Sequence, residues 1–349
     1  MIALVIENPL DKTGVGRYTS YLIEVFDGNG IDYQILDYTC SLVHSKARHI
    51  SYWYRKASYL LVWCGIRDFI PIGKYELLIF PTASPLAVLL RGNKVVAVHD
   101  LMHKFYKFPE VSRLDIRFYR DRLYNSLAKA MVTIVVDSEV GVEHWIRFYK
   151  HCRKIRPIPF YASLVKDNFK QSNLIREKEL DNYLFYPAAF WSHKNHINLV
   201  RAIKHLVSNT DLKFKVVFCG KPNVMLGRIE VLINALNLDD YFEIFDFISD
   251  DDLIELYVNS KGLIYPSYFG PTNIPPLEAI SLEVPIAVAN VFEPKNIYGE
   301  GILTFDPNDI KEISEACRLL LSSEKDYLGN INNKKERFFE SWMGLINEN

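Results

Sequence analysis

The sequence predicts an α/β protein made of two doubly wound parallel sheets with helices on both faces. Three observations carry the prediction. Short unbroken apolar runs, such as Ile2-Ala-Leu-Val-Ile6, Val132-Thr-Ile-Val-Val136 and Phe214-Lys-Val-Val-Phe-Cys219, recur along the whole chain, and such runs suit strands covered on both faces. Amphipathic stretches fall between them, giving the βα alternation of a parallel sheet. The alternation stops once, over 160–181, an interval that lacks clear periodicity and ends in the charged run Arg176-Glu-Lys-Glu-Leu-Asp181. With 349 residues, 49% of them apolar and 13% aromatic, there is material for two packed cores rather than one.

Taken in order, the first half places strands at 2–6, 32–37, 77–81, 94–98 and 132–136, with helices over 49–68, 112–130 and 139–149. The second places strands at 183–187, 214–219, 242–245, 262–265, 285–289 and 302–305, with helices over 195–208, 250–259 and 308–322. The expected domains are therefore 1–165 and 183–333, joined by a linker at 166–182 and facing a central cleft. No repeat or low-complexity segment interrupts this plan.

Charge is nearly balanced overall at −1, but unevenly placed. Residues 1–165 hold 22 Lys+Arg against 15 Asp+Glu, and the remainder 19 against 27. In the first half the cations interleave with rings, as in Tyr52-Trp-Tyr-Arg-Lys56, Lys104-Phe-Tyr-Lys107, Arg117-Phe-Tyr-Arg120 and Trp145-Ile-Arg-Phe-Tyr-Lys150. Solvated helix faces over aromatic core stripes would produce this pattern. So would a surface that rests on anionic lipid headgroups. Nucleic acid ranks below both, since no binding motif accompanies the charge. The five cysteines (Cys40, Cys64, Cys152, Cys219, Cys317) lack zinc or redox spacing and read as thiols of a reducing compartment. The N-terminus reads as a first strand rather than a leader, and no apolar run approaches a membrane span, so a cytoplasmic protein is expected.

Ligands of doubly wound sheets bind beyond the carboxyl ends of the strands. Gly14-Val-Gly16-Arg17, His99-Asp100, Ser138-Glu139, His193-Lys194 and the loop 269–278 all fall there. The last is the most informative: Phe269-Gly-Pro-Thr-Asn-Ile-Pro-Pro-Leu-Glu278 enters a helix through Thr272 and Asn273, and prolines are favoured in a first helical turn. A helix N-terminus approached this way is expected to present N–H groups and the positive dipole end to an anion. Lys194, opening another helix, would bring a cation to the same phosphate. Glu278, in the second helical turn, could accept both hydroxyls of a ribose; compensation of the helix dipole is the plainer account. Gly14-Val-Gly16 lacks the third glycine of a dinucleotide fingerprint, so it argues only for close backbone approach to a ligand, or for a simple turn. His99 is expected to donate a hydrogen bond to a sugar hydroxyl, with His103 packing elsewhere. Asp250-Asp-Asp252 opens a helix, where acidic residues complement the dipole, and needs no metal to explain it.

Taken together these residues resemble the GT-B glycosyltransferases of glycosyltransferase family 4, a retaining family. The resemblance runs nearly the length of the chain: the Gly-Val-Gly-Arg-Tyr opening, Val-His-Asp at 98–100, Asp137-Ser-Glu, Lys194-Asn195, Phe247-Ile-Ser-Asp-Asp-Asp-Leu253 and Pro-Leu-Glu-Ala-Ile-Ser-Leu-Glu-Val-Pro at 276–285. Phe-Gly-Pro-Thr-Asn-Ile-Pro-Pro-Leu-Glu-Ala and Phe-Trp-Ser-His-Lys-Asn-His look like a bacterial subgroup of surface-polysaccharide pathways. Three positions depart from the family pattern: Gly270 stands where its first Glu usually does, Ala189 near its Arg, and Glu283 at a helix-ending Gly.

The resemblance implies transfer of a hexose or deoxyhexose from a nucleotide-diphosphate sugar to a glycan or lipid-linked glycan, with retention and without a metal or other cofactor. It assigns Lys194 and His99 to catalysis. Gly16, Gly270, Pro271, Thr272, Asn273, Ile274 and Glu278 go to the donor, and Gly14, Arg17, Tyr18 and Asp100 to the acceptor side. It also implies that 334–349, with Phe338, Phe339 and Trp342, crosses back to the first domain. The partners expected are the donor, the acceptor and an anionic inner-membrane surface, with no nucleic acid. Two alternatives stand beside this reading: a catalytically silent nucleotide-sugar-binding subunit, motivated by Gly270 and Ala189, and a GT-B sugar-nucleotide epimerase.

Overall fold

The computed structural model describes residues 1–6, 14–37, 47–49, 58, 60–71, 73–150, 154–162, 164, 174–246, 248–270, 272–322, 326–330 and 333–348. Contacts divide the chain into two units. The first comprises Met1–Lys107, Val111–Tyr161 and Asn333–Asn349; the second comprises Phe108–Glu110 and Ala162–Asn332. The second unit thus begins at Ala162, well before the strand at 183, and it takes in three residues from the middle of the first.

In the first unit the strands are β1 (Ile2–Ile6), β2 (Tyr33–Asp37), β3 (Ala47–His49), β4 (Ile70–Pro71), β5 (Leu77–Phe80), β6 (Leu90–Arg91), β7 (Asn93–Ala97), β8 (Thr133–Val136) and β9 (Lys154–Pro157). Seven of them form a parallel sheet in the order β3-β2-β1-β5-β7-β8-β9, while β4 and β6 pair separately. The central strands β5 and β8 are buried at every position, and their sequences are Leu-Leu-Ile-Phe and Thr-Ile-Val-Val. The residues show why: β-branched and large apolar side chains fit a pleated surface packed on both sides.

The helix Gly14–Gly28 was not foreseen. Gly14, Val15 and Gly16 form its first turn, not a glycine loop. Two glycines weaken a helix by roughly 1 kcal/mol each relative to alanine. Tyr18, Leu22, Val25 and Phe26 recur at helical spacing and are all buried, and that burial outweighs the glycine cost. The last helix, Lys334–Asn347, belongs to this unit as well. Its Phe338 and Trp342 are fully buried and meet the Tyr18 ring edge-on at 5.9 and 6.5 Å. Of the expected helix 49–68, residues 50–57 and 59 lie outside the described residues, among them the rings and cations of 52–56; 58 and 60–63 are helical, whereas His49 ends β3 and 64–68 are turn or coil.

The second unit holds β10 (Tyr183–Pro187), β11 (Lys215–Cys219), β12 (Phe242–Phe245), β13 (Gly262–Tyr265), β14 (Ile286–Ala289) and β15 (Leu303–Phe305), in the parallel order β12-β11-β10-β13-β14-β15. Sequence order reverses between β10 and β13, where Leu184 pairs with Gly262 and Phe185 with Leu263. That reversal opens a crevice beyond the strand ends, the place where such sheets take ligands. Helices 196–209 and 310–322 pack together on this sheet through Leu199, Ile203, Leu206, Ile313, Cys317 and Leu320, all buried.

Candidate active site

Two chain segments meet at the reversal. After β10 the chain passes Ala188 to Trp191 and makes a 3-10 turn, Ser192–Lys194. Asn195 then takes a left-handed conformation (φ 60°, ψ 30°) before the helix His196–Asn209 begins. Asparagine tolerates that region better than most residues. Here its buried amide also donates to the carbonyls of Pro266 (3.1 Å) and Pro307 (2.8 Å). Asn195 therefore ties the turn to the loop after β13. The neighbouring carbonyl, that of Lys194, accepts from the Tyr186 hydroxyl at 2.5 Å. With its backbone held, Lys194 extends Nζ to the Tyr265 hydroxyl (2.9 Å) and to Asn273 Oδ1 (3.2 Å). Tyr265 is the last residue of β13, and burial pushes its phenol well above the usual range, so it is neutral.

The second segment is the loop after β13. Gly270 has φ +121°, and a Cβ there would stand 2.5 Å from Asn273 Oδ1 and 2.6 Å from its Nδ2. Only glycine fits both the backbone and the space. The Asn273 amide fills that space, donating from Nδ2 to the Gly270 carbonyl at 2.9 Å. Asn273 also begins the helix Ile274–Ser281 and gives its own N–H to the Tyr298 hydroxyl at 2.8 Å. The expectation of several open N–H donors is corrected here. Pro275 and Pro276 have none, and Asn273's is used, which leaves that of Ile274 in the first turn. Thr272 is half-buried in the same loop, and Pro271 lies outside the described residues. A small cavity lined by Tyr265, Ser267, Gly270, Asn273 and Tyr298 opens beside them.

Glu278 follows one turn on. It is 2% exposed, and its Oε2 accepts from the Tyr257 hydroxyl at 2.9 Å. One oxygen of the expected ribose acceptor is thus committed to a neighbour. Asp252 closes a capping box with Ser249 at the head of Asp250–Val258, so the acidic run is explained locally. Among the described residues, no three His, Cys, Asp or Glu side chains gather as a metal site.

In the first unit, His99 follows β7. Its Nε2 lies 2.7 Å from the Pro81 carbonyl at the end of β5, so that nitrogen carries the proton. Burial lowers its pKa, against the Pro81 carbonyl and Asp100, and the ring is neutral. His99 therefore offers Nδ1 as an acceptor, where a donor was expected. Tyr18, assigned to the acceptor side, is a core residue: 3% exposed, stacked on Phe160 at 5.2 Å and edge-on to His99 at 4.8 Å. Gly14 is exposed, Gly16 buried and Arg17 half-buried, all at the head of the first helix. Asp100 accepts from the Met102 N–H (2.9 Å) and from Arg120 (2.7 Å). Burial alone would raise its pKa, but Arg120 and the N–H bond hold it below the usual carboxylate value. Asn195 enters the sequence reading only as part of the Lys194-Asn195 pair, and Tyr265, Tyr257 and Tyr298 do not enter it, although Tyr265 has a signal: it ends a buried strand directly before the loop.

Residues 165–337 match the family described as Glycosyl transferases group 1, and this part of the chain is a domain of that family. The protein is a glycosyltransferase with the GT-B fold. Among its relatives is the O-antigen chain mannosyltransferase RfbU of Salmonella typhimurium, 24% identical over 285 residues that cover 81% of this chain and 76% of RfbU. Solved structures show the same fold. Sucrose-phosphate synthase from Thermosynechococcus elongatus superposes with a TM-score of 0.75 at 17% identity, covering 99% of this chain and 98% of that one. HepE of Anabaena, in complex with UDP and glucose, gives 0.71 at 12% identity over 98% and 95%.

Proposed function

We propose that this protein transfers a hexose, mannose by analogy with RfbU, from a nucleotide-diphosphate sugar to a glycan or lipid-linked glycan acceptor in surface-polysaccharide assembly. The observation that carries the proposal is the Lys194 ammonium, held at 2.9 and 3.2 Å by Tyr265 and Asn273 at the N-terminus of the helix Ile274–Ser281. Cation and dipole converge where the sheet reverses, and both favour the charge that grows on a departing diphosphate. Thr272 and the Ile274 N–H add donors, and Glu278 is left to bind the ribose.

The reaction proceeds with retention. No side chain among the described residues serves as a nucleophile in this scheme; the leaving phosphate takes the acceptor's proton on the face it departs from. Neutral His99 orients the acceptor hydroxyl by accepting its hydrogen bond at Nδ1. Fixed protein charge replaces a metal ion in this scheme. The experiment is direct: identify the donor by thermal shift across UDP-, GDP- and dTDP-sugars, then follow the product's anomeric configuration by NMR with and without EDTA. An inverted product, or activity lost to EDTA and restored by Mn²⁺, refutes the mechanism.

The acceptor is presented at an anionic membrane surface. No helix among the described residues is long and apolar enough to cross a membrane. The first unit does expose Leu114 (85%), Phe118 (56%) and Trp63 (50%), with the Trp63 and Phe118 rings 5.0 Å apart. Arg113, Arg117 and Arg122 lie on the same helix or at its head, which suits a boundary between lipid charge and hydrocarbon.

A further inference from the structure

We infer that Glu110 is a positioning residue for Lys194, acting through the His193 turn; the inference rests on the leaving-group role proposed above. Glu110 belongs to Phe108–Glu110, the three residues that group with the second unit although their sequence neighbours group with the first. One oxygen, Oε1, accepts from both the His193 N–H (2.9 Å) and His193 Nδ1 (2.6 Å). Both side chains are nearly buried, at 10% and 12% exposure. Burial alone would raise the Glu110 pKa, but the two His193 bonds outweigh it and hold the carboxyl below its usual value.

The other side of the same turn is held too. The His193 carbonyl accepts from the Tyr268 N–H at 2.8 Å, and the Phe108 ring stacks on Tyr268 at 5.5 Å with planes 26° apart. Phe108 and Glu110, two residues apart, therefore grip His193 by its N–H, its imidazole and, through Tyr268, its carbonyl. Lys194 is the next residue. Its reach to Asn273 depends on the orientation of a turn only three residues long, which Asn195 and the Tyr186 hydroxyl hold after Lys194 and Glu110 holds before it. Without Glu110, a nearly buried N–H and imidazole lose the acceptor that Oε1 provides, and the turn reorients toward water. The effect has a distinctive sign. A carboxylate acting only by its charge would repel a diphosphate, so its removal would tighten binding; a positioning carboxylate does the opposite.

The test measures the affinities of UDP, GDP and dTDP, and of the matching phosphate-free nucleosides, by calorimetry. The proteins are wild type, Glu110→Ala, Glu110→Gln, Lys194→Ala and the Glu110→Ala/Lys194→Ala double variant. For the diphosphate that binds wild type, Glu110→Ala is expected to lose on the order of 10-fold in affinity, the scale of one charge-assisted hydrogen bond. Glu110→Gln, which keeps an acceptor for the His193 N–H, recovers part of the loss and stands in if Glu110→Ala fails to fold. Nucleoside affinity stays level, and Glu110→Ala costs nothing further in the Lys194→Ala background. Diphosphate binding that is unchanged or tighter in Glu110→Ala, or a full Glu110→Ala loss persisting without Lys194, overturns the inference while leaving the role of Lys194 standing. Wild-type affinity in Lys194→Ala, or no diphosphate bound by wild type, overturns the leaving-group reading itself.

Discussion

His196 provides a quantitative test of how dry the interior is directly behind the proposed leaving-group site. It is the first residue of the helix 196–209, 2% exposed, with its ring 4.6 Å from Tyr186, 4.9 Å from Phe190 and 5.0 Å from Phe218. Burial, then the nearby Lys194 and His193 charges, push its pKa down to about 3, against a weaker opposing effect of the Ala188 backbone. An unfolded histidine titrates near 6.5, so the folded state holds fewer protons between the two values. The contribution of neutral His196 is therefore intact above about pH 6.5 and is lost as pH falls toward 3. Each pH unit inside that window costs about 1.4 kcal/mol, hence roughly 2 kcal/mol by pH 5. His196→Phe keeps an aromatic ring in the aromatic box and removes the titration; the size change itself should cost less than about 1.5 kcal/mol. Urea unfolding of both proteins at pH 7.5 and pH 5 gives the comparison. His103 in the first unit, pushed down to about 4 by burial and then by Arg120, is a background common to both. Wild type is expected to lose about 2 kcal/mol more than His196→Phe between the two pH values. Equal losses would refute the argument and mean that His196 can charge in place.

Lys194→Ala is expected to lower kcat by roughly 100- to 1000-fold with the fold intact; near-normal turnover in a folded variant removes Lys194 from the mechanism. Gly270→Ala forces a side chain into a left-handed backbone and against the Asn273 amide, and should cost about 1–3 kcal/mol in urea unfolding together with donor affinity. A neutral outcome would mean that the loop has room that the geometry denies. Glu278→Gln should weaken nucleotide binding by roughly 10-fold or more through loss of a charge-assisted bond, whereas unchanged affinity with a lowered Tm would confine Glu278 to holding Tyr257. Vesicle co-sedimentation should show binding that rises with anionic lipid and falls only partly in salt, the retained part vanishing in Leu114→Ser/Phe118→Ser; no binding at low salt ends the membrane proposal.

The sheets were legible because parallel strands buried on both faces are largely apolar, as β5 is throughout and β8, β10 and β13 nearly so. The strands that were missed lack that constraint. In β9, Lys154-Ile-Arg-Pro157, exposed and half-buried positions alternate, and β4 and β6 have two residues each. At the site, the meeting of the Lys194 turn with the 269–278 loop could be read from position alone, since both follow strands that flank the reversal. Side-chain direction could not. Glu278 turns in toward Tyr257 and Tyr18 turns into the core because the phase of each helix, not the residue type, sets where a side chain points. Glu110 gave no signal at all: a carboxylate in the first half of the sequence meets His193 only through the path of the backbone.

One departure from the pattern of the family this sequence resembles, Gly270, makes sense once Gly270 and Asn273 are seen as one unit. A side chain at 270 and the Asn273 amide cannot occupy the same space, and the chain has kept the amide. The consequence falls on Lys194. The partners this loop supplies to its ammonium are a phenol and a carboxamide, both neutral. Each orients Nζ without cancelling its charge. A carboxylate on this loop would bring a hydrogen-bond acceptor for the sugar, and would also draw the ammonium into an ion pair. By this argument Gly270→Glu cannot restore a family-like site by itself, since its side chain meets the Asn273 amide at once. The pair Gly270→Glu/Asn273→Gly removes that obstacle, leaving the left-handed backbone at 270 as the remaining cost.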